Sequence, residues 1–315
     1  MNNRRSFIVG VKSTKLSKKE KIFLKKYKPW GIILFSRNIS NISQTLKLTS
    51  SIRKIFNDKK YPILIDQEGG RVSRLENITS FKNLSADFFG KKYITNPKEF
   101  IFFYKLFIDK TSYLLKSIGV NINTVPVLDL KIKGATSIIG DRSFSKNSKI
   151  VSKIGDYCIQ YFFENKIGTV IKHIPGHGLA KVDSHYLTPY VKKNLNYLFK
   201  NDFDSFRNKK SFFAMTAHVI FSSIDKKNTV THSKKMIKLI RNEIGFKNII
   251  ISDDISMKSL KGTIQQNTIR TFNAGCNLAL HCNGNLKEML IVGQNSPVVD
   301  KFIIKKTSEF YKILS

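Results

Sequence analysis

The sequence contains no apolar run near the roughly 18–20 residues that a membrane-spanning helix needs. The Arg4-Arg5 pair resembles the start of an export signal, but the apolar stretch Phe7–Val11 that follows it ends at Lys12. A signal peptide requires roughly 7–15 apolar residues and a small-residue cleavage site, and neither is present. We therefore expect a cytoplasmic protein with no membrane partner.

Cysteine is also scarce, and the three residues of this type are Cys158, Cys276 and Cys282. An odd number without metal-type pairing argues against a disulfide framework and against a cysteine-based metal site. The three residues are typical of buried thiols in a reducing compartment.

Acidic residues are few, with 22 Asp and Glu against 55 Lys and Arg, so the formal net charge is +33. Such a charge can indicate nucleic-acid binding. However, the basic residues are mostly lysines spread along the whole chain among many Asn, Ile and Phe, a composition typical of an AT-biased coding sequence. No basic block adjoins an aromatic stacking motif. We predict no nucleic-acid partner, although the charge can help to attract anionic substrates.

Linkers and internal repeats are absent as well, since no Pro- or Ser-rich segment and no break in composition divides the chain. Hydrophobic residues make up 41% of the 315, which is enough for a sizeable core. We predict one domain that spans residues 1–315.

The sequence does contain an alternation of short apolar segments with amphipathic helical ones. Most apolar segments are rich in Val, Ile, Leu and Phe without strict alternation, which suits parallel strands buried on both faces. The eight predicted strands are Phe7–Val11, Gly31–Phe35, Pro62–Asp66, Asn121–Leu130, Gly168–His173, Phe212–Val219, Asn248–Asp253 and Asn277–Cys282. The predicted helices are one opened by the capping box Ser17–Glu20, then Ile42–Phe56, Pro97–Ser117, Lys149–Asn165, Leu195–Arg207, Lys234–Ile244, Thr263–Ala274 and Ser296–Leu314.

Eight such units predict an α/β fold, a single (β/α)8 barrel of the TIM type. An open doubly wound sheet is the main alternative, but no strand is followed by a glycine-rich phosphate loop. Barrel enzymes build their active sites on the face where the strands end. Polar residues stand at six predicted strand ends: Asp66, Asp129, Lys172 with His173, His218, Asp253 and His281.

Two adjacent carboxylates, Asp253 and Asp254, follow the apolar run Ile249–Ile251. A carboxylate at the end of a buried strand is costly unless it is paired or functional. Asp254 or Ser256 can cap the following helix, which leaves Asp253 as a candidate nucleophile. A purely structural role as a helix cap is the alternative.

The densest cluster of titratable groups lies in Lys172–Gly178 and in Asp183-Ser184-His185 just beyond it. A proline and two glycines exclude a continuous helix in the first of these segments. Residues two apart in an extended backbone point the same way, so Asp183 can orient His185 and raise its basicity. A local turn with a solvent-exposed histidine is the alternative.

Two other chemistries fit this cluster less well. His173 and His177 are four residues apart, but the broken backbone removes the helical geometry of a metal site, and no Glu stands between them. Ser184 lies in no G-x-S-x-G elbow, which argues against a serine hydrolase. We predict no metal ion, and we expect His177 to structure the loop.

Aspartate and arginine occur together in two further segments, Asp66–Arg74 and Gly140–Phe144. Carboxylate and guanidinium groups suit hydroxyl-rich ligands because they accept or donate paired hydrogen bonds. The alternative for each segment is an intramolecular salt bridge, so Arg71 or Asp141 can be structural even where a neighbour binds a ligand.

In this order along the chain, the motifs resemble those of glycoside hydrolase family 3. Within that family the sequence is similar to the single-domain bacterial branch, the cytoplasmic β-N-acetylglucosaminidases of cell-wall recycling. The resemblance covers residues from about 7 to 290 and weakens after Gly284. The segments that carry it are Gly31–Asn38, Ile65–Val72, Pro126–Asp129, Ile139–Phe144, Lys172–Gly178, Asp183–His185, Met215–His218, Ser252–Met257 and Ala274–Leu278.

The resemblance implies roles for individual residues. Asp253 matches the family's nucleophile, and His185, held by Asp183, matches its general acid/base. The family requires neither a metal ion nor an organic cofactor. Departures are small, since Ile174 stands where Phe is usual and Ile255 where Leu is usual. The positions that match the family's sugar-binding residues are Asp66, Arg74, Arg142, Lys172 and His173.

The resemblance therefore implies a retaining, exo-acting β-N-acetylhexosaminidase, expected to be a monomer, whose partner is a small glycan such as a GlcNAc–anhydro-MurNAc muropeptide. Phosphorolysis at the same site is one alternative, because a histidine acid/base does not repel phosphate, and it would release GlcNAc-1-phosphate. A different sugar specificity would show in a panel of aryl glycosides. A basic nucleic-acid-binding barrel is a remote alternative. Salt-sensitive binding to DNA that persists in variants without Asp253 and Arg142 would support it.

Overall fold

The computed structural model describes residues 3–132, 134–135, 137–184 and 186–314. Its strands are β1 Arg5–Gly10, β2 Pro29–Leu34, β3 Ile63–Ile65, β4 Ile122–Asn123, β5 Gly168–Ile174, β6 Tyr190–Val191, β7 Phe213–Thr216, β8 Ile220–Phe221, β9 Ile249–Asp254 and β10 Leu278–His281. Eight of these strands close into a parallel barrel in the order β1-β10-β9-β7-β5-β4-β3-β2. The other two, β6 and β8, pair with each other outside it.

Helices connect successive barrel strands and surround the barrel. They are α1 Lys18–Tyr27, α2 Ile42–Phe56, α3 Ala86–Thr95, α4 Pro97–Ser117, α5 Ser148–Glu164, α6 Leu195–Lys200, α7 Lys234–Asn242, α8 Ile264–Ala274, α9 Leu286–Asn295 and α10 Lys301–Ile313. The prediction of a (β/α)8 barrel is therefore confirmed. Among the residues that the structure describes, no helix is long and apolar enough to cross a bilayer.

Local sequence explains where several helices begin and end. Ser17 and Glu20 form the predicted capping box, because each side chain accepts a hydrogen bond from the other residue's amide. Pro97 stands in the first turn of α4, where a missing N–H leaves no hydrogen bond unmade. Gly275 ends α8 with a φ of 106°, a left-handed conformation that favours glycine.

Parallel pairing brings the ends of the barrel strands to one face. Leu34 of β2 lies beside Ile65 of β3, and Ile65 lies beside Asn123 of β4. Asp66 and Thr124, which come next on β3 and β4, therefore emerge side by side at the rim. The same alignment around the barrel collects the polar strand-end residues on this face, as the sequence predicts.

The opposite end of the barrel is closed by the C-terminal helix. Phe310 of α10 is fully buried, and its ring lies 5.4 Å from that of Phe213 in β7. The Nε1 of Trp30, the chain's single tryptophan, donates a 2.9 Å hydrogen bond to Thr307 of α10. Other side chains from inside the barrel pack against these residues, among them Ile8, Ile33, Leu64, Ile122, Val170, Ile249 and Leu278.

The fourth strand is much shorter than the predicted Asn121–Leu130, since β4 contains two residues. Pro126 has no amide hydrogen to donate, so regular ladder pairing cannot continue through it. Beyond it, Val127 makes one isolated bridge to Lys172. The remainder of the predicted strand is a buried loop that carries Asp129 to the barrel face. The sixth barrel strand is also shorter than predicted, because β7 ends at Thr216.

Two predicted helices are shorter than expected. The helix predicted over Leu195–Arg207 divides into α6 and a separate 3-10 turn at Asp204–Phe206. The last helix begins at Lys301 rather than at Ser296. There Val298 and Val299 pair with the backbone near Arg4, and Pro297 favours an extended segment over a helix.

The sequence patterns gave no sign of four short elements, namely α3, α9, β6 and β8. Each is ten residues or fewer, too short for a clear apolar period. The division of the chain into one domain over residues 1–315 stays a prediction.

Phe310→Ala is expected to lower the free energy of unfolding by about 3–5 kcal/mol, because it removes a fully buried ring and leaves a cavity at the closed end of the barrel. Urea unfolding followed by Trp30 fluorescence measures the loss. The matched control is Phe102→Ala on α4, where the side chain is 65% exposed and a change below about 0.5 kcal/mol is expected. Equal losses in the two variants would contradict the role given to α10.

Candidate active site

A cavity of about 200 Å³ opens at the face of the barrel where the strands end. It brings together six of the eight predicted site residues: Asp66, Arg74, Arg142, Lys172, His173 and Asp253. The rest of the wall is formed by Glu68, Val72, Ile138, Ile139, His177, Ser184, Met215, Met257, Leu280 and Cys282. One side is therefore rich in charge, whereas methionine and aliphatic side chains contribute an apolar part.

Asp253, at the end of β9, reaches this cavity with one oxygen held by the backbone. The amide of Asp254 donates a 2.8 Å hydrogen bond to Asp253 Oδ1. Burial raises the pKa of Asp253, but the neighbouring His218 and His173 outweigh this effect, so that the pKa lies below its ordinary value. Asp253 is therefore ionised at neutral pH, as a carboxylate nucleophile must be.

The adjacent Asp254 has a different role. Its carboxylate accepts hydrogen bonds from the amide and hydroxyl of Ser256, at 3.0 and 2.8 Å, and from the amide of Cys282 at 3.3 Å. These bonds shape the turn after β9 and occupy the side chain. The two aspartates thus divide between a turn and the cavity, as the sequence suggested, although Asp254 stabilises a turn and does not cap a regular helix.

His218 and His281, the histidines at two other strand ends, are structural. His218 is fully buried between the Thr231 hydroxyl at 2.7 Å and the Asp254 carbonyl at 3.0 Å. Burial lowers the pKa of His218, so the ring is neutral. His281 binds Glu288 through Nε2 at 2.8 Å.

His173 is oriented by a fully buried carboxylate, Asp129. The Asp129 Oδ2 atom lies 2.7 Å from His173 Nδ1, and the same carboxylate accepts the amides of His173 and His177. Burial raises the pKa of Asp129, but the two histidines outweigh it and lower the pKa below its ordinary value. Because Nδ1 is occupied, Nε2 is the ring nitrogen of His173 that can reach a ligand.

Asp66 lies at the junction of two cations and a hydroxyl. Its Oδ1 accepts from the Thr124 hydroxyl and lies 3.4 Å from Lys172 Nζ, while its Oδ2 lies 3.4 Å from Arg74 Nη2. Burial raises the pKa of Asp66, but Lys172 and Arg74 outweigh it and hold the pKa far below its ordinary value. The guanidinium of Arg74 also lies over the Phe35 ring, 5.4 Å from its centroid.

Glu68 is the most heavily engaged carboxylate in the cavity. It binds Arg142 with both oxygens, at 2.8 Å each to Nε and Nη2, and Lys172 Nζ lies 2.6 Å from its Oε1. Burial raises the pKa of Glu68, but Arg142 and Lys172 outweigh it and lower the pKa to about 2. The three side chains form one buried ion cluster.

The loop beyond β5 is held at its base by His177. The ring is buried, and its Nε2 lies 3.1 Å from the Ser184 hydroxyl, which closes the loop over seven residues. Burial and the nearby His173 lower the pKa of His177 to about 4, so the ring is neutral at pH 7. The Asp183 carbonyl accepts the amides of Tyr186 and Leu187, at 3.0 and 2.8 Å.

His185, the predicted acid/base, lies outside the described residues. Asp183, its predicted partner, is described but is not part of the cavity wall, which the adjacent Ser184 reaches. The predicted pairing of Asp183 with His185 therefore stays a prediction.

The sequence interpretation assigned no function to Glu68, Asp129 or Thr124. A signal existed for two of them, because Glu68 belongs to the segment that was singled out and Asp129 is one of the polar strand-end residues. Neither signal could tell a ligand-binding carboxylate from one that holds other side chains. Thr124 gave no signal, because a threonine in a strand is ordinary.

The described residues include no group of three or more His, Cys, Asp or Glu side chains arranged to hold a metal ion. The three cysteines are free thiols, and Cys158 and Cys276 are buried. Burial raises the pKa of Cys282, which borders the cavity, well above its ordinary value, so this thiol is not an activated nucleophile.

Comparison with known proteins gives consistent results. The family model described as glycosyl hydrolase family 3 N terminal domain matches residues 6–307. A beta-hexosaminidase of Haemophilus ducreyi is 34% identical over 284 residues, and one of Nitrosomonas eutropha is 31% identical over 284 residues; each match covers 88% of this chain and 80% of the relative. NagZ from Neisseria gonorrhoeae, solved in complex with N-trifluoroacetyl-D-glucosamine, superposes with a TM-score of 0.87 at 27% identity, covering 99% of this chain and 90% of NagZ.

The buried carboxylates of the cavity should make stability depend on pH. A carboxylate whose pKa is lowered by folding stabilises the fold above its unfolded pKa, and this contribution is lost as pH falls through the folded pKa. For Glu68, a pKa of about 2 instead of 4.5 corresponds to a loss on the order of 3 kcal/mol between about pH 5 and pH 2. Urea midpoints at pH 6, 4 and 3 measure it, and midpoints that do not fall would contradict the assigned ion cluster.

A matched pair of isosteric variants separates a buried carboxylate whose pKa is lowered by its neighbours from one whose pKa is raised. Asp129→Asn should be destabilised at pH 7, because it loses a charged acceptor of three N–H groups. Asp202→Asn should be stabilised at pH 7, because burial and the nearby Asp129 charge raise the pKa of that carboxyl well above its ordinary value. Thermal melts of both variants at pH 7 test this prediction, because the changes in melting temperature should have opposite signs.

Proposed function

The chain belongs to glycosyl hydrolase family 3, and we propose that it is a retaining, exo-acting β-N-acetylhexosaminidase that removes a terminal GlcNAc residue from small glycans. The observation that carries this proposal is the ionised Asp253 in a cavity that it shares with the buried Lys172 and the partly buried Arg142. A carboxylate nucleophile beside donors that can bind sugar hydroxyls is the arrangement that glycoside hydrolysis needs.

The first step is attack by Asp253 on the anomeric carbon of the sugar. A bond forms between one Asp253 oxygen and that carbon, and the bond from the carbon to the leaving oxygen breaks. His185 gives its proton to the leaving oxygen, so the aglycone departs as a neutral alcohol. Asp254 donates its amide to Asp253 Oδ1, which favours Oδ2 as the attacking atom.

The second step releases the sugar. Neutral His185 takes a proton from water, and the water oxygen bonds to the anomeric carbon as the ester to Asp253 breaks. Two inversions restore the original configuration, so the product is the β-anomer. An imidazole has an ordinary pKa of about 6.5, which suits both proton transfers near neutral pH.

The charged residues of the cavity are the groups that can bind the sugar. Asp66 can accept a hydrogen bond from a sugar hydroxyl, and Arg74, Lys172, Arg142 and the Nε2 of His173 can donate to sugar oxygens. The apolar part of the wall, with Met215, Met257 and Leu280, suits the less polar face or substituent of the sugar.

The proposed acid/base, His185, follows Ser184 in the sequence and must reach the glycosidic oxygen of the bound sugar. Ser184 brings the loop to the cavity, and Gly176 and Gly178 at its base allow the backbone to change direction. We propose that Asp183 orients His185 there, as the carboxylate partner does in a catalytic triad.

The substrate class follows from the relatives. Two are named beta-hexosaminidase, and the NagZ structure was determined with an N-acylated glucosamine. We propose a GlcNAc–anhydro-MurNAc muropeptide as the natural substrate, cleaved in cell-wall recycling in the cytoplasm by a monomer whose single domain spans residues 1–315, with no cofactor and no nucleic-acid partner.

Asp253→Asn is expected to lower kcat/KM for an aryl β-N-acetylglucosaminide by at least about 10³-fold, because an amide cannot form the glycosyl ester. Release of the aryl group, with the product anomer read by NMR, measures it. Asp109→Asn on the surface of α4 is the matched control and should remain fully active. Full activity in Asp253→Asn, or an α-anomer as first product, would rule out this mechanism.

His185→Ala should affect substrates according to their leaving group. A poor leaving group needs a proton from the acid, so its hydrolysis should fall by roughly 10²–10⁴-fold. A dinitrophenyl glycoside needs little protonation, so its first step should be largely preserved. Equal losses for both substrates would argue against His185 as the general acid.

A further inference from the structure

Glu68 lines the cavity, but three of its acceptor positions are already taken by two cations. Its side chain is only 7% exposed. Oε2 accepts from Arg142 Nε, while Oε1 accepts from Arg142 Nη2 and lies 2.6 Å from Lys172 Nζ. Because Glu68 is less exposed than Asp66 and is held by both cations, we expect it to act on the sugar through Arg142 and Lys172.

The two cations depend on Glu68 to different degrees. Arg142 lies at the end of the 3-10 turn Gly140–Arg142, and its guanidinium also donates a long hydrogen bond, 3.4 Å from Nη1 to the Ile138 carbonyl. Lys172, in β5, also donates to the Thr124 hydroxyl at 2.9 Å and lies 3.4 Å from Asp66. Glu68 is thus the main restraint on Arg142 and the closest partner of Lys172.

The balance of charge in the cavity explains why the restraint of Arg142 and Lys172 by Glu68 matters for the reaction. Three cations, Arg74, Arg142 and Lys172, share the cavity with three carboxylates, Asp66, Glu68 and Asp253. Without Glu68 the cations exceed the remaining carboxylates, so a released guanidinium would compete for Asp66 and Asp253, the carboxylates left in the cavity. An ion-paired carboxylate is a poorer nucleophile, because the attacking oxygen must first give up its partner.

We propose that Glu68 is a positioning residue for the reaction: it fixes Arg142 and Lys172 where they can bind the sugar and keeps them off the nucleophile Asp253. This inference rests on the proposed glycosidase function. Glu68 would thus influence both sugar binding and the reactivity of the nucleophile without contacting the sugar.

The test compares Glu68→Gln and Glu68→Asp with the wild type on an aryl β-N-acetylglucosaminide. In Glu68→Gln we expect KM to rise and kcat to fall, with kcat/KM lower on the order of 10²-fold, because the cations move by distances that matter in an active site. The extra positive charge should also move the alkaline limb of the kcat/KM profile to lower pH, by roughly half a unit to one unit.

Glu68→Asp separates charge from position. It keeps the negative charge, so the alkaline limb should stay where it is in the wild type. Its shorter side chain cannot reach Arg142 and Lys172 together, so KM should remain raised. A Glu68→Asp variant with wild-type KM would show that charge alone suffices and would overturn the positioning role.

The matched control is Asp58→Asn at the opposite end of the barrel. Asp58 forms an ion pair with Arg4 and accepts a hydrogen bond from Tyr311 at 2.7 Å, so its loss also breaks a partly buried ion cluster. It should lower the melting temperature as Glu68→Gln does, but leave KM, kcat and the pH profile unchanged. Unchanged kinetics in a destabilised Glu68→Gln would mean that Glu68 is structural only, which overturns the proposal.

A second measurement does not depend on turnover. Phenylglyoxal modification of Arg142 in the intact protein, followed by peptide mass spectrometry, should be several times faster in Glu68→Gln than in the wild type or in Asp58→Asn. Equal rates would overturn the proposal. If the wild type hydrolyses no aryl β-N-acetylglucosaminide, the proposed function fails, and this measurement still decides whether Glu68 holds Arg142.

Discussion

The constraint on which this structure depends is the cost of burying charge. The face of the barrel gathers carboxylates and cations at the ends of apolar strands, where an isolated charge would be very unfavourable. Each of them is therefore paired: Asp129 with His173, Asp66 with Lys172 and Arg74, and Glu68 with Arg142 and Lys172. Asp253 differs, because among the described residues its hydrogen-bond donor is the next amide, and this leaves it the most available carboxylate for chemistry.

The rest of the fold can be understood as support for that arrangement. Strand β5 carries Lys172 and His173, and β9 carries Asp253, whereas the long segments after β3 and β4 bring their partners to the same face. The closed end, filled by α10, Trp30 and the apolar residues inside the barrel, keeps the strands in register. In barrel enzymes the strands and helices usually form a rigid scaffold, and the loops at one face carry the catalytic and binding residues.

The barrel could be predicted from sequence because its strands are apolar on both faces and alternate with clear helical periods. The predicted boundaries of strands and helices were less accurate where a single residue decides them. Pro126 ends β4 early, and Pro297 delays the start of α10. At the site, Asp253, Lys172 and Arg142 were found because a motif contained them. The proposed role of Glu68 could not be predicted from the sequence. Its partners, Arg142 and Lys172, are 74 and 104 positions away, and only the folded chain brings them together.

The closure of the barrel has a consequence for synthesis of the chain. The first strand pairs with the last, with Phe7 beside Ala279, and the helix that seals the barrel follows later still. At roughly 5–20 residues per second, β1 waits on the order of tens of seconds on the ribosome before this neighbour exists. During that time it presents an apolar edge to other chains. Pairing of the early strands into a partial arc covers only one edge of β1, so its other edge stays open until β10 has been made.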